Sequence, residues 1–341
     1  MLAGGLNMIL RVRTKRMVGN VLLIGLALCL MAVGPAARAG TPKAAKAARP
    51  AKAPGLARTA RNPYLGAITL DAASGRVLFE DQADAKGYPA SVLKLMDLLL
   101  VLERIEQGQL SLQQAVTTSA KASHTGGSRV WLADKESFTV DELLYALMVQ
   151  SANDAAVALA EKVGGSTEGF VELMNKRAKE LGMANTLFRS VHGLPPGRGQ
   201  EPDVTTARDL SLLCRAVLKH PDTLRYASTR QRAFRTNVPK KPVIMRTHNH
   251  LLGHLEGCDG LKTGWIAAAG YSIALTAARH GQRVIVVVLD SSDRETRDAR
   301  GAELVAKGLA ALSAPAPAPA RQPAGKSARK EAGGPKAERR E

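Results

Sequence analysis

Two groups of strand-like segments stand at opposite ends of the folding part of this chain, with helical segments filling the span between them. Tyr64–Leu70 and Arg76–Glu80 alternate apolar and polar residues around Asp71-Ala72-Ala73-Ser74-Gly75, a hairpin signal. Gly257–Gly264, Tyr271–Arg279 and Arg283–Asp290 read as three further strands, the last two joined by turn residues at 278–282. One sheet can collect both groups if the two ends of the span meet. Between them, Ser91–Ile105, Val140–Gln150, Ala155–Val163, Thr167–Leu181 and Thr206–Lys219 carry helical patterns, with Asp203 or Thr205 as a cap for the last. Asp293–Leu312 closes as a helix. The predicted fold class is an α/β (α+β) sandwich. An antiparallel five-stranded sheet is drawn from both chain ends and flanked by helices, with an all-helical insertion. Aromatic residues are only 4% of the chain, so the core is built from Ala, Leu and Val.

The formal net charge of +18 suggests a polyanion binder until it is divided along the chain. Residues 1–62 hold 11 Lys and Arg and no acid, and residues 314–341 hold 7 against 3 acids. The remainder is close to neutral, with 30 basic and 27 acidic residues, which argues against a basic nucleic-acid-binding face. The amino end has the order of an export signal. Arg11, Arg13, Lys15 and Arg16 precede the apolar run Val18–Val33, and Ala37-Arg38-Ala39 offers a cleavage site. Leu28 before Cys29 speaks against a lipoprotein signal. The expected organisation is a signal peptide at 1–39, a basic Ala/Pro/Lys-rich spacer at 40–61, a folded domain at 62–313, and a basic Ala/Pro-rich tail at 314–341. The tail shows no amphipathic stripe for a membrane anchor. The predicted location is the periplasm or cell envelope, where the tails would make weak contacts with acidic envelope polymers. Cys214 and Cys258 could pair in an oxidising compartment, but buried free thiols are the favoured reading.

Three short stretches carry chemistry. Lys94 stands out in the apolar run from Ser91 to Ile105, three residues after Ser91. Positions i and i+3 share a helix face, so the Ser91 hydroxyl meets the Lys94 amine. Burial favours the neutral amine, and a neutral amine beside a hydroxyl is a base–nucleophile pair. A lysine snorkelling to solvent is the bland alternative, and Ser-x-x-Lys recurs at Ser327–Lys330 in the tail. Ser151-Ala152-Asn153 lies on a turn between two helices, and Lys262-Thr263-Gly264 ends a strand; both patterns are unique in the chain. Lys262 and Thr263 suit a substrate carboxylate, and Gly264 admits a close backbone.

Together, in this order, the three stretches resemble the signatures of the penicillin-recognising serine enzymes. The wider contexts Tyr88–Lys94, Gln150–Ala156 and Asp259–Gly264 are similar to the low-molecular-mass penicillin-binding proteins of the D-alanyl-D-alanine carboxypeptidase and endopeptidase family. Gly126-Gly127-Ser128, His192-Gly193-Leu194, Thr205–Leu210 and Asn249–Leu252 extend the likeness over residues 62–312. Ile266 departs from it, where many relatives carry Thr. The C-terminal β-domain and anchor helix of many carboxypeptidases are also not seen.

The resemblance implies a β-lactamase/transpeptidase-like fold and acyl transfer on peptidoglycan stem peptides ending in D-Ala-D-Ala. Ser91 would be the nucleophile, Lys94 the general base and Ser151 a proton relay. Asn153, Lys262, Thr263, Gly264 and Trp265 would bind substrate, with the Ser91 and Trp265 N–H groups as oxyanion hole. Lys262 would further depress the proton affinity of Lys94. β-Lactams would inhibit, and no metal or cofactor is implied. Carboxypeptidase is favoured over D,D-endopeptidase. A class A β-lactamase would need Glu-x-x-Leu-Asn, and Glu180–Asn185 has the wrong spacing. His248, His250 and His254 hint at zinc, but their spacing fits neither a helix face nor a closed site. A non-catalytic wall-binding module would have little use for all three signatures.

Overall fold

The computed structural model describes residues 56–235 and 242–313. The expected signal peptide, most of the spacer and the tail lie outside them. The described chain opens with strands β1 (Gly66–Asp71) and β2 (Val77–Asp81). A 3₁₀ turn, Ala90–Leu93, runs directly into helix α1 (Lys94–Glu106). There follow β3 (Ala115–Thr117), α2 (Ala120–Ser123), β4 (Ser137–Thr139), α3 (Val140–Val149), α4 (Asn153–Gly164), α5 (Thr167–Glu180), α6 (Ala207–Val217) and α7 (Thr223–Ala227). The last part contains β5 (Gln231–Phe234), β6 (Val243–Arg246), β7 (Cys258–Ile266), β8 (Gly270–Arg279), β9 (Gln282–Ser291) and α8 (Arg294–Ser313).

The five-stranded sheet has the order β2-β1-β9-β8-β7, antiparallel throughout, so strands from both chain ends do share it. The central strand β9 explains why. Its side chains alternate between two apolar layers: Ile285, Val287 and Leu289 face the main core, while Val284, Val286 and Val288 face a second cluster with Leu304, Val305 and Leu309 of α8. A strand apolar on both faces requires cover on both, and α8 covers one face while α1 and α6 lie within the main core on the other. Strand β7 is left at the sheet edge, its backbone open to a cleft.

Several expectations are corrected in detail. The first turn of the 91–105 segment is 3₁₀ rather than α. Helix α4 begins at Asn153, two residues earlier than the sequence pattern predicts. Thr206, rather than Asp203 or Thr205, caps α6 through Asp209 N–H, while Asp203 bonds the 189–190 backbone instead. Lys262-Thr263-Gly264 lies inside β7, which continues to Ile266. The insertion is not all-helical: it includes the two-stranded ribbons β3–β4 and β5–β6, three or four residues a strand. Residues 59–61, expected as spacer, bond to the sheet end: Thr59 N–H and Ala60 N–H donate to Ala268 O, and Arg61 N–H donates to Asp290 O. Cys214 is buried in α6, Cys258 is half-buried on β7, and both are free thiols.

Candidate active site

Ser91 sits in the 3₁₀ turn after Ala90, whose backbone is held at a φ of 45°. Non-glycine residues rarely adopt this left-handed region, and such strain concentrates at functional turns. Gly264 makes room for the turn. A Cβ on Gly264 would lie 2.8 Å from Pro89 O and 3.1 Å from Ser91 N. Its bare backbone makes room for the Ser91 turn, and Gly264 also lines the cavity.

Lys94 is fully buried. Its Nζ donates to Ser91 Oγ at 3.0 Å, to Asn153 Oδ1 at 2.7 Å and to His192 O at 3.0 Å. Three acceptors match the three N–H bonds of an ammonium group; a neutral amine keeps two and turns its lone pair on the serine. Burial lowers the pKa of Lys94 to about 8, against the opposing pull of Asp97, Asp154 and Asp203. Burial first, then the charges of Lys94 and Arg297, push Lys262 well below the usual lysine range.

The second wall is the turn between α3 and α4. Ser151 has a φ of 58°, again left-handed, which aims its hydroxyl out of the turn. Lys262 Nζ lies 2.8 Å from Ser151 Oγ and 3.0 Å from Thr263 O. Asn153 is buried and spans two walls: its amide donates to Gly126 O at 2.8 Å while its oxygen holds Lys94. Asp154 fastens the 126–132 loop by accepting N–H bonds from Val130 and Leu132. Ser91, Ser151, Asn153, Thr263, Gly264 and Trp265 line one cavity of about 520 Å³. Lys94 and Lys262 stand behind it, bonded to its two serines. All eight predicted residues are therefore brought together. Trp265 is 56% exposed at the rim, its ring centroid 6.0 Å from that of Tyr271.

Some contributors escape sequence reasoning. The His192 carbonyl that holds Lys94 leaves no mark in residue type, since any residue has a carbonyl. The His192 ring is neutral, lowered to about 4 by burial and then by Lys94 and Lys121, and its Nδ1 accepts from Leu194 N–H. Arg297 of α8 reaches the cavity with its guanidinium buried against Asp298. Asp97 is fully buried, and neither carboxylate oxygen has a hydrogen-bond partner among the described residues. It shares the apolar run of Lys94, so a charge among Leu and Met one turn on was a legible signal. His248 and His250 line the cavity rim, while His254 Nδ1 is 2.8 Å from His250 O. Among the described residues no group of three or more His, Cys, Asp or Glu could hold a metal ion.

A serine bonded to a buried lysine, a Ser-x-Asn turn and an edge-strand Lys-Thr-Gly enclosing one cleft define the penicillin-recognising serine enzymes. Residues 60–293 match the D-alanyl-D-alanine carboxypeptidase family of S11 peptidases, and the chain belongs to that family. It is 35% identical over 234 residues to D-alanyl-D-alanine carboxypeptidase DacF of Bacillus subtilis, covering 69% of this chain. It is 38% identical over 238 residues to DacC of Escherichia coli, covering 67% of this chain. The matches span 59% and 57% of those two relatives' lengths. Among solved structures, penicillin-binding protein D2 from Listeria monocytogenes in its ampicillin-bound form is similar at a TM-score of 0.61 and 33% identity, over 75% of this chain and 99% of that one. The D-alanyl-D-alanine carboxypeptidase DacD from Francisella tularensis gives 0.67 and 29%, over 78% and 74%.

Proposed function

We propose that this protein is a serine-type D-alanyl-D-alanine carboxypeptidase acting on peptidoglycan stem peptides, with β-lactams as acylating inhibitors. The observation that carries the reading is the 3.0 Å contact between Ser91 Oγ and a buried Lys94 amine whose pKa is lowered to about 8. In this reading Ser91 Oγ bonds to the carbonyl carbon of the penultimate D-Ala, and its proton passes to Lys94. The Ser91 and Trp265 N–H groups hold the oxyanion, where losing one donor costs ~10²–10³ in rate. The C–N bond then breaks, and the leaving amine of the terminal D-Ala takes a proton through Ser151, beside Lys262. Lys262 and Thr263 hold the terminal carboxylate, Gly264 keeps the nucleophile turn in place, and Asn153 orients Lys94 and the peptide amide. Water then attacks the ester carbonyl and gives its proton to Lys94, and that proton returns to Ser91 Oγ as the ester C–O bond breaks.

The family and the penicillin-binding neighbours support this assignment. D,D-endopeptidase cleavage of peptidoglycan crosslinks uses the same groups and differs only in the leaving amine. The charge order of residues 1–39 supports export to the periplasm or envelope, and the basic tails would touch acidic envelope polymers weakly. Intact-protein mass spectrometry with penicillin tests the assignment: one adduct per chain on the wild type and none on Ser91→Ala. An adduct on Ser91→Ala would overturn it. Release of free D-Ala from a pentapeptide stem, against cleavage of a crosslinked dimer, separates the two peptidase activities.

A further inference from the structure

Near its end, strand β9 carries a buried carboxylate that joins the Ser91 turn to the sheet. Asp290 is fully buried, and its backbone is held at a φ of 55°. Its Oδ2 accepts the Tyr88 N–H at 3.2 Å and the Thr59 hydroxyl at 2.5 Å, and its Oδ1 accepts the Ser272 hydroxyl at 3.1 Å. We infer that Asp290 is a positioning residue for acylation: its carboxylate keeps the Ser91 turn in register with β7, and Thr59, from the segment expected as spacer, holds that carboxylate in place. The inference rests on the active-site reading above and adds to it a residue outside the cleft.

Three observations carry it. The first is placement. Tyr88 lies three residues before Ser91, and the two residues between them are buried, with φ of −66° at Pro89 and 45° at Ala90. A shift of Tyr88 is therefore passed to Ser91. On the other side, Ser272 opposes Gly264 in the β7–β8 ladder, one residue from Trp265. The carboxylate thus links the two pieces of chain whose N–H groups, at Ser91 and Trp265, must keep one spacing to hold a single oxyanion.

The second is that the surroundings are shaped around this carboxylate. Ser272 Oγ also receives the Asp290 N–H at 2.9 Å, a two-bond ring at the place where the β8–β9 ladder shifts its register. A Cβ on Gly87 would run into Asp290 Oδ2. Backbone geometry alone favours glycine at a left-handed φ, so the side chain is kept there for what it binds. Burial raises the pKa of Asp290 to about 6, against the pull of Thr59, Tyr88, Ser272 and Arg61, so at neutral pH it is ionised and accepts all three bonds.

The third is the strap that brings Thr59 in. Thr59 and Ala60 N–H groups donate to Ala268 O, while Arg61 N–H donates to Asp290 O and Arg61 O accepts from Ser292 N–H. Ala268 is next to Ala267, which lines the cavity. The same end of the sheet holds the small apolar cluster of Ala90, Ile266 and Ala269, with Tyr88 packed on it, where the turn meets β7.

Acylation of the full chain by a fluorescent penicillin reads two quantities, the rate constant at saturation and the adducts formed per chain. Asp290→Gly suits the left-handed backbone and removes the carboxylate. Its rate constant should fall at least about tenfold, with one adduct per chain still formed. Asp290→Asn keeps an oxygen for Tyr88 and Thr59 and turns its amide to Ser272, so it should stay within about threefold of wild type. Thr59→Val should slow acylation about two- to fivefold. A residue that serves stability alone would lower the melting temperature and the adducts per chain and leave the rate constant unchanged. A wild-type rate constant in Asp290→Gly, or an equal loss in Asp290→Asn, would overturn the assignment, and a wild-type rate constant in Thr59→Val would remove Thr59 from it. An adduct on wild-type Ser91 with unchanged variants defeats only the role of Asp290, whereas no adduct on the wild type defeats the active-site reading as well.

Discussion

Gly193 lies flat against the carbonyl of Ala90: a Cβ on Gly193 would stand 2.1 Å from Ala90 O. Its φ is +74°, where an L side chain is strained whatever space it has. The contact joins two structures that must not shift, the turn that presents Ser91 and the His192 carbonyl that holds Lys94. Gly193→Ala should therefore slow penicillin acylation at least tenfold and cost about 1–3 kcal/mol of stability. Stopped acylation with a fluorescent penicillin, beside a thermal melt, checks both effects. Wild-type acylation in the variant would show that the nucleophile turn tolerates displacement.

The pH dependence follows from Lys94. A general base must be neutral, so the acylation rate constant should rise about tenfold per pH unit below pH 8 and level off above it. Stability moves in the same direction. The folded-state pKa of about 8 lies below the ordinary 10.5, so the unfolded chain binds more protons between these values. Stability should therefore recover as pH rises from about 8 towards 10.5. Acylation that falls across pH 6–8 would exclude Lys94 as the base.

Asp97 titrates too. Burial raises its carboxyl well above 3.8, so its folded form holds a proton that the unfolded chain gives up, and stability is lost as pH rises from about 4 through the folded value. Asp97→Asn keeps the shape and removes the titratable proton. At neutral pH it should melt higher by at least about 2–4 °C, the shift that 1 kcal/mol gives in a chain of this size, with no difference below pH 4. A protonated Asp97 has no charge to act on Lys94, so the acylation curve of the variant should keep the wild-type midpoint. A shift of the curve to lower pH would show that Asp97 is ionised while Lys94 titrates.

Ser151→Ala removes the hydroxyl 2.8 Å from Lys262 and leaves that amine with Thr263 O. If Ser151 relays the proton to the leaving amine, acylation by a D-Ala-D-Ala peptide should drop about 10²–10⁴-fold. The melting temperature, in contrast, should change little. A drop of less than about threefold would assign the relay elsewhere.

How far the residues alone reach depends on the kind of signal. Ser91 with Lys94, Ser151 with Asn153, and Lys262 with Thr263 were legible because spacing on a helix, a turn and a strand places side chains directly. The sheet was legible because β9 and β8 are long apolar runs. The ribbons β3–β4 and β5–β6 are too short to show a period, and α7 has only one turn and a half of helix. The cap of α6 went to Thr206 because Asp203 is engaged by Arg189, Ser190 and the loop they carry. Gly264 was legible as a close-contact residue but not as to which backbone it admits; that depends on the packing of β7 on the 3₁₀ turn. The carbonyl of His192 is a tertiary fact with no one-dimensional pattern.

The order of strands has a consequence for the newly made chain. β1 is laid down early, yet one of its two partners begins only at Gln282, and Lys262 comes late as well. A chain appearing residue by residue must hold a bare strand edge through the whole helical segment, with Ser91 present and inert. Closure of the sheet is then what brings Lys262 of β7 beside Ser151 of the helical segment. The same long wait makes folding slow and the open edge prone to wrong partners.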